Sequence, residues 1–273
     1  MFSWMRISLV ALLFCALLIF VLPLSLQAQS AEQLEVGPPP LHRADPPPAG
    51  ATPEELEQRG DELRIEKDYL DSVEYYEAAL KLTPGRAVLY NKIGMSELQM
   101  HRDKEARKNF ERSIAADRNY ANAYNNLGAT YYDMHKLGAA IPQYEKAIQL
   151  DGTAAAYFSN LGTAYFGKKQ FEKAIQCYAK AVELDPDVFD HSTRGGVQAK
   201  LASPEDRAHY DYVLAKMFAK AGVNDRSLHY LKRAMEEGYS NIKNVYKDNE
   251  FSTLRKDPRF AELMAAKPVA ISD

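Results

Sequence analysis

Residues 124–132 read YNNLGATYY, and residues 158–166, 34 positions later, read FSNLGTAYF. The same interval separates four glycines, Gly60, Gly94, Gly128 and Gly162. It also separates four aromatic residues, Tyr76, Phe110, Tyr144 and Tyr178. A fixed period of this length indicates a repeat architecture in which each unit is one supersecondary structure.

Within one unit, apolar residues recur every three or four positions, which predicts helices. In the third unit these positions are Tyr124, Leu127 and Tyr131, and then Ala140, Ile141, Tyr144, Ala147 and Ile148. The two runs predict two antiparallel helices per unit. The glycine lets the two helices approach closely, and the aromatic ring fills the gap between one pair and the next.

This pattern resembles the tetratricopeptide repeat (TPR). The resemblance rests on YNNLGATYY with AAIPQYEKAI (139–148) and on FSNLGTAYF with KAIQCYAKAVELDP (173–186), and it extends from Pro53 to Val188. It implies an all-α, right-handed superhelical solenoid of about five helix-turn-helix repeats that binds other proteins. The C-terminal segment resembles the one that closes many bacterial TPR arrays.

The repeats divide the chain into segments. We predict four repeats in residues 53–188, at 53–86, 87–120, 121–154 and 155–188, then an insertion at 189–207, a divergent fifth repeat at 208–241 and a helical cap at 242–273. Ser203 and Pro204 predict a helix that begins beside them, since a serine N-cap followed by proline is typical of helix N-termini. In the cap, four apolar residues are expected to cover the last repeat: Phe251, Leu254, Phe260 and Leu263.

The N-terminus carries an export signal. Residues 1–30 have one cation at Arg6, a long apolar run and a small, polar end, which is the pattern of a secretory signal peptide. Two outcomes stay open: cleavage after Ala28 or Ser30, or retention of residues 7–26 as an inner-membrane anchor. Residues 31–52 are rich in proline and predict a disordered linker. We therefore expect an exported protein, either periplasmic or secreted, or else anchored in the inner membrane.

Charge and motif content narrow the class of protein. The formal net charge of −3 argues against nucleic-acid binding, which needs a concentrated cationic surface. Cys177 is the only cysteine outside the apolar N-terminus, so no intramolecular disulfide is expected. His101 and His135 are one repeat apart, too far to share a metal ion, and no nucleophile or phosphate motif is present. We expect no catalytic residue, cofactor or metal.

In TPR proteins the first helix of each repeat lines the concave face. The resemblance places seven residues in this groove: Asn91, Asn125, Asn126, Tyr132, Asn160, Thr163 and Phe166. An asparagine amide both donates and accepts, so a ladder of asparagines suits the backbone of an extended peptide. The alternative is that the asparagines bond neighbouring helices. Lysine and arginine are missing from the predicted groove, which argues against a clamp for a C-terminal carboxylate.

The sequence thus predicts a non-catalytic scaffold of the cell envelope that binds an extended peptide or a client protein in its concave groove. Two other classes of function stay open. One is a passive structural or self-associating module, and the other is an enzyme of the envelope. The only membrane interaction expected is through the possible N-terminal anchor. The identity of the partner does not follow from the sequence.

Overall fold

The computed structural model describes residues 44–189 and 203–266. The predicted signal or anchor (1–30), most of the linker and residues 190–202 of the insertion lie outside this range. The chain divides into two units, Met1–Ala44 and Asp45–Asp273, and the second contains the fold described below. Within the described residues, no helix is long and apolar enough to span a bilayer.

The described residues fold into helices that pack in consecutive pairs. Four pairs fill the predicted repeats: α1 (Pro53–Glu66) with α2 (Tyr69–Leu82), α3 (Ala87–Gln99) with α4 (Asp103–Ala116), α5 (Ala121–Asp133) with α6 (Leu137–Leu150), and α7 (Ala155–Gly167) with α8 (Phe171–Leu184). A fifth pair follows, α9 (Pro204–Lys220) with α10 (Asn224–Glu236). The last elements are three 3-10 helices (Ile242–Tyr246, Asn249–Phe251, Leu254–Lys256) and α11 (Pro258–Ala266). The predicted all-α TPR solenoid is confirmed.

The helix starts at both ends of the array are specified by local sequence. Before α1, Thr52 and Glu55 form a reciprocal capping box, which satisfies backbone N–H groups that have no helical partner. Before α9, the Ser203 hydroxyl accepts a hydrogen bond from the backbone N–H of Asp206, and Pro204 follows the cap. The helix predicted at Ser203 and Pro204 is confirmed.

The repeated glycines lie under the repeated aromatic rings. A Cβ on Gly60 would lie 2.5 Å from Cε1 of Tyr76, and a Cβ on Gly94 would lie 2.7 Å from Cε1 of Phe110. Gly128 is related in the same way to Tyr144, and Gly162 to Tyr178. All four aromatic side chains are completely buried. The glycine and the ring recur every 34 residues because each repeat has the same close contact between its two helices. At this contact the ring needs the space of a missing side chain.

The turns between the paired helices repeat as well. Four non-glycine residues with φ between 57° and 71° occupy these turns: Lys67, His101, His135 and Lys169. The left-handed conformation lets the chain reverse within a few residues, at a modest cost in strain. His101 and His135 are exposed and lie at successive turns, as the sequence predicts.

Pro142 lies inside a helix. It would cost little near a helix start, but α6 begins at Leu137, so Pro142 is the sixth residue of the helix. Its missing N–H leaves the carbonyl of Gly138 without a helical hydrogen bond. The repeat tolerates this interruption because Pro142 is on the exposed side of the helix.

A large aromatic and aliphatic cluster joins the fourth pair, the fifth pair and the C-terminal segment. Tyr178 of α8, Leu214 of α9 and Leu231 of α10 are fully buried in it. Three of the four apolar residues predicted to cover the last repeat are buried in the same cluster, namely Phe251, Leu254 and Phe260, and Leu263 packs against its edge.

Candidate protein-interaction site

The residues predicted to line the groove lie on the first helices of repeats 2 to 4, as expected, but their side chains are buried. None of the seven is more than 9% exposed, and Asn125 and Asn126 are completely buried. The chemistry of this face therefore depends on which partners its polar groups already have inside the protein.

The asparagines bond one another across neighbouring repeats. Nδ2 of Asn126 donates to Oδ1 of Asn91 at 2.9 Å, and Nδ2 of Asn160 donates to Oδ1 of Asn125 at 2.9 Å. Nδ2 of Asn125 also donates to Oδ1 of Asn126 at 3.2 Å. The polar capacity that these bonds use joins helices. The assignment of the amides to a peptide-binding groove stays a prediction. The alternative that the sequence left open describes this ladder better.

An ion pair with the same sequence separation as the asparagine pairs joins the first two repeats. Nζ of Lys92 lies 2.7 Å from Oε1 of Glu57 and 2.6 Å from Oδ2 of Asp61. Glu57 and Lys92 are 35 residues apart, as are Asn91 and Asn126, and Asn125 and Asn160. This interval of one repeat plus one residue was the sequence signal of the ladder, and the period of 34 alone does not reveal it.

The two aromatic residues expected in the groove belong to the core. Tyr132 packs with Ile141 and Leu161. Phe166 makes edge contacts with Phe171, His209 and Tyr210, at centroid distances of 5.2 to 5.7 Å. Both rings therefore contribute to the packing of the repeats, and their assignment to the groove stays a prediction. Phe166 holds the fifth repeat against the fourth.

A small polar cleft, which we call the junction cleft, opens where α7 meets α9 and α10. Its volume is about 130 Å³, and its walls include Ser159, Asn160, Thr163, Tyr210, Asp211, Tyr230 and Arg233. Asn160 and Thr163 were predicted as site residues, whereas Asp211 and Arg233 were not. The fifth repeat diverges from the sequence pattern of the others, so its helix faces could not be assigned in advance.

Asp211 is the most unusual group in the junction cleft. Its side chain is 1% exposed, and Nε of Arg233 lies 3.1 Å from its Oδ2. Neither carboxylate oxygen accepts a hydrogen bond of good geometry from a described residue. Burial raises the pKa of Asp211 to about 7, although Arg233 opposes the shift. Arg233 itself is 44% exposed, so the cleft presents a cation at its mouth and a carboxylate at its base.

A larger neighbouring cleft, which we call the aromatic cleft, separates α8 and α9 from the C-terminal segment. Its volume is about 370 Å³, and His209, Tyr212 and Tyr239 form one wall. The ring of Tyr239 stacks on both His209 and Tyr212. Lys216 lies in the same cleft and pairs with Asp248 and Glu250.

Groups suited to metal binding or nucleophilic catalysis are sparse in residues 44–189 and 203–266. No cluster of three or more histidine, cysteine or acidic side chains occurs there with the geometry of a metal site. Burial raises the pKa of the Cys177 thiol to about 11, so this thiol is protonated at neutral pH and is a poor nucleophile. The four repeated rings and their glycines serve the packing of the repeats.

Several solved structures are similar to this chain. A MamA protein is 20% identical, with a TM-score of 0.47, and the match covers 72% of this chain and 95% of that one. The thermophilic TPR protein TTC0263 of Thermus thermophilus is 18% identical, with a TM-score of 0.49, and the match covers 78% and 100%. YrrB, described as a TPR protein with an unusual peptide-binding site, is 17% identical, with a TM-score of 0.45, and the match covers 67% and 84%.

No curated protein matches the sequence. Sequence models of the tetratricopeptide repeat match it twice, at residues 85–153 and 155–188. These two segments contain α3 to α8, the three helix pairs that share the contacts between glycine and ring and the asparagine ladder. The chain therefore contains tetratricopeptide repeats, in residues 85–153 and 155–188.

Proposed function

We propose that this chain is a non-catalytic scaffold of the cell envelope that binds an extended segment of a partner polypeptide at the junction of its fourth and fifth repeats. Its tetratricopeptide repeats support a role in protein interaction, with a protein or a peptide as the partner. The proposed binding site rests on the observation of the junction cleft. It is the place where side chains from the predicted groove meet an exposed, charged group.

The junction suits a polypeptide better than a small metabolite. The cleft of 130 Å³ takes one small group, whereas most known small-molecule sites are larger, at about 300–1,000 Å³. The aromatic cleft lies on the same helix, α9, and offers stacked rings and the exposed ammonium of Lys220.

Export to the envelope is the second part of the proposal, and it rests on residues 1–30. The mass of the mature protein, purified from cells, tests it. A chain that begins after Ala28 or Ser30 supports a cleaved signal, and an intact chain in the membrane fraction supports the anchor at residues 7–26. An intact chain in the cytosolic fraction would contradict export.

Site-specific photocrosslinking tests the proposed site. A photoreactive phenylalanine analogue replaces Phe189, which lines the junction cleft, in one variant and Lys220 in a second, and in a control it replaces Glu183, which is exposed on α8. We expect a discrete partner to be captured from the first two positions and not from the third. The partner is then identified by mass spectrometry, purified and titrated against the protein.

Equal capture at all three positions would contradict a site at the junction. Crosslinks only to a second copy of the chain would favour the self-associating module instead. Residues of the asparagine ladder are unsuitable for this experiment, because their amides hold neighbouring repeats together. A variant at Asn126 or Asn160 would change the stability of the array as well as any binding.

A further inference from the structure

We propose that the junction cleft binds one uncharged amide group of the partner, with Asp211 accepting from the amide N–H and Arg233 donating to the amide oxygen. This inference rests on the proposed function, because it specifies the chemistry that the same site recognises. Three observations carry it: the unmet acceptor capacity of Asp211, the exposed position of Arg233 and the size of the cleft.

The carboxylate of Asp211 requires hydrogen-bond donors that the described fold does not supply. An ionised carboxylate has about four lone-pair positions, and a buried one that lacks donors is costly. Arg233 compensates the charge from 3.1 Å, yet neither oxygen of Asp211 receives a well-aligned hydrogen bond from a described residue. An N–H group that enters the cleft would therefore gain a strong, charge-assisted bond.

Arg233 supplies the complementary half of the site. A guanidinium group has five N–H donors, and the nitrogen placed near Asp211 is Nε, which leaves the terminal N–H groups for a ligand. The guanidinium also lies over the ring of Tyr230, with 5.4 Å between its Cζ and the ring centroid. This contact and Asp211 together hold the side chain at the mouth of the cleft.

The pair of charges selects a neutral ligand. A cation would have to share one carboxylate with Arg233, and a carboxylate would meet the negative charge of Asp211 at the base of the cleft. An amide carries a donor and an acceptor side by side and no net charge, so it meets both residues at once. A water molecule takes up about 30 Å³ in the liquid, so a cleft of 130 Å³ has room for a few waters or one carboxamide.

Two parts of a polypeptide carry an amide, the side chains of asparagine and glutamine and the main chain itself. Four small probes separate these sources and test the charge argument: propionamide, N-methylacetamide, propionate and propylammonium. Each is titrated at pH 8, where Asp211 is mostly ionised, into the ¹⁵N-labelled full chain, and backbone resonances of Ser159, Asp211 and Arg233 are followed by NMR.

We expect saturable shifts with propionamide, N-methylacetamide or both, and none with the two charged probes. Saturation by propionamide alone assigns the site to a side-chain carboxamide, and saturation by N-methylacetamide assigns it to the main chain. The Asp211→Leu variant, which replaces the acceptor with a larger apolar side chain, should lose the saturable shifts. The matched Lys232→Ala variant, with its change at a neighbouring exposed position, should keep them.

Saturable binding of propylammonium or propionate with an affinity equal to that of the amides would overturn the proposal, and so would shifts that stay linear for every probe. Retention of amide binding in a folded Asp211→Leu variant, checked by circular dichroism, would also overturn it. These outcomes differ from failure of the proposed function. Photocrosslinking can capture a partner when no probe binds, and probes can bind when no partner is captured at the junction.

Discussion

The side chain of Asn126 donates a hydrogen bond to Oδ1 of Asn91 across 2.9 Å, from the first helix of the third repeat to the first helix of the second. Both side chains are buried, so neither amide is exposed at the surface of the protein. Together with the pair of Asn160 and Asn125, it links three consecutive repeats through their first helices. In this part of the array, the face expected to bind ligands serves to hold the repeats in register.

The first prediction is that Asn126→Ala lowers the free energy of unfolding by about 1–3 kcal/mol, because it leaves the buried oxygen of Asn91 without its donor. Urea denaturation measures the change. Gln99→Ala, at an exposed position on α3, is the control and should have little effect. If Asn126→Ala left stability unchanged but abolished partner capture, the side chain would be a ligand contact after all.

The second prediction compares two glycines of the third repeat. A Cβ on Gly128 would lie 2.7 Å from Cε1 of the buried Tyr144 ring, so Gly128→Ala should destabilise the array by about 1–3 kcal/mol. A Cβ on Gly138 would meet nothing within 4 Å, and this residue is in the first turn of α6. Gly138→Ala should therefore stabilise by up to about 1 kcal/mol. Melting temperatures of the two variants that shift in the same direction would contradict the assigned contact.

The sequence predicted the fold well because the contacts that define it are local and repeat. Gly128 and Tyr144 are 16 positions apart within one pair of helices, and each repeat shows the same small residue and the same ring. Burial of the groove was not predictable in this way. Whether Asn126 faces solvent or Asn91 depends on how closely two repeats approach, and helical periodicity within one repeat contains no information about that distance.

The candidate site was even less predictable. Asp211 and Arg233 belong to a repeat that follows an insertion and has lost most of the pattern. When the fifth repeat is aligned with the fourth by matching the small residues Ser227 and Ala174, Asp211 aligns with Phe158. A charged residue therefore stands at a position where the fourth repeat has a packing residue. That replacement is the only signal in the sequence, and its meaning depends on the position of Arg233 in the folded chain.

The third prediction concerns a hydroxyl without a partner. The phenol oxygen of Tyr144 is buried and has no hydrogen-bond partner among the described residues, and the equivalent residue in repeat 2 is Phe110. Tyr144→Phe should therefore stabilise the protein, by about 1 kcal/mol. The same change at Tyr76 should destabilise it by about 0.5–1.5 kcal/mol, because the Tyr76 hydroxyl donates to Asp61 at 2.8 Å. Chemical denaturation of both variants provides the test, and a loss of stability in Tyr144→Phe would reveal a partner for that hydroxyl.

The last prediction uses the titration of Asp211. Its pKa is about 7 in the folded protein, against an ordinary value of 3.8, because burial penalises the ionised form. Between these two pH values the folded state binds more protons than the unfolded state, so the contribution of Asp211 to stability falls as the pH rises from about 4 to about 7. About three pH units correspond to a loss of at most about 4 kcal/mol.

Relative to Asp211→Asn, the wild type should therefore lose stability between pH 5 and pH 8, as measured by urea denaturation at both values. The difference between the two proteins cancels the titration of all other groups, and Glu262→Gln, at an exposed position on α11, serves as the control. A difference that is the same at pH 5 and pH 8 would show that Asp211 is ionised throughout this range, in which case donors other than Arg233 satisfy it.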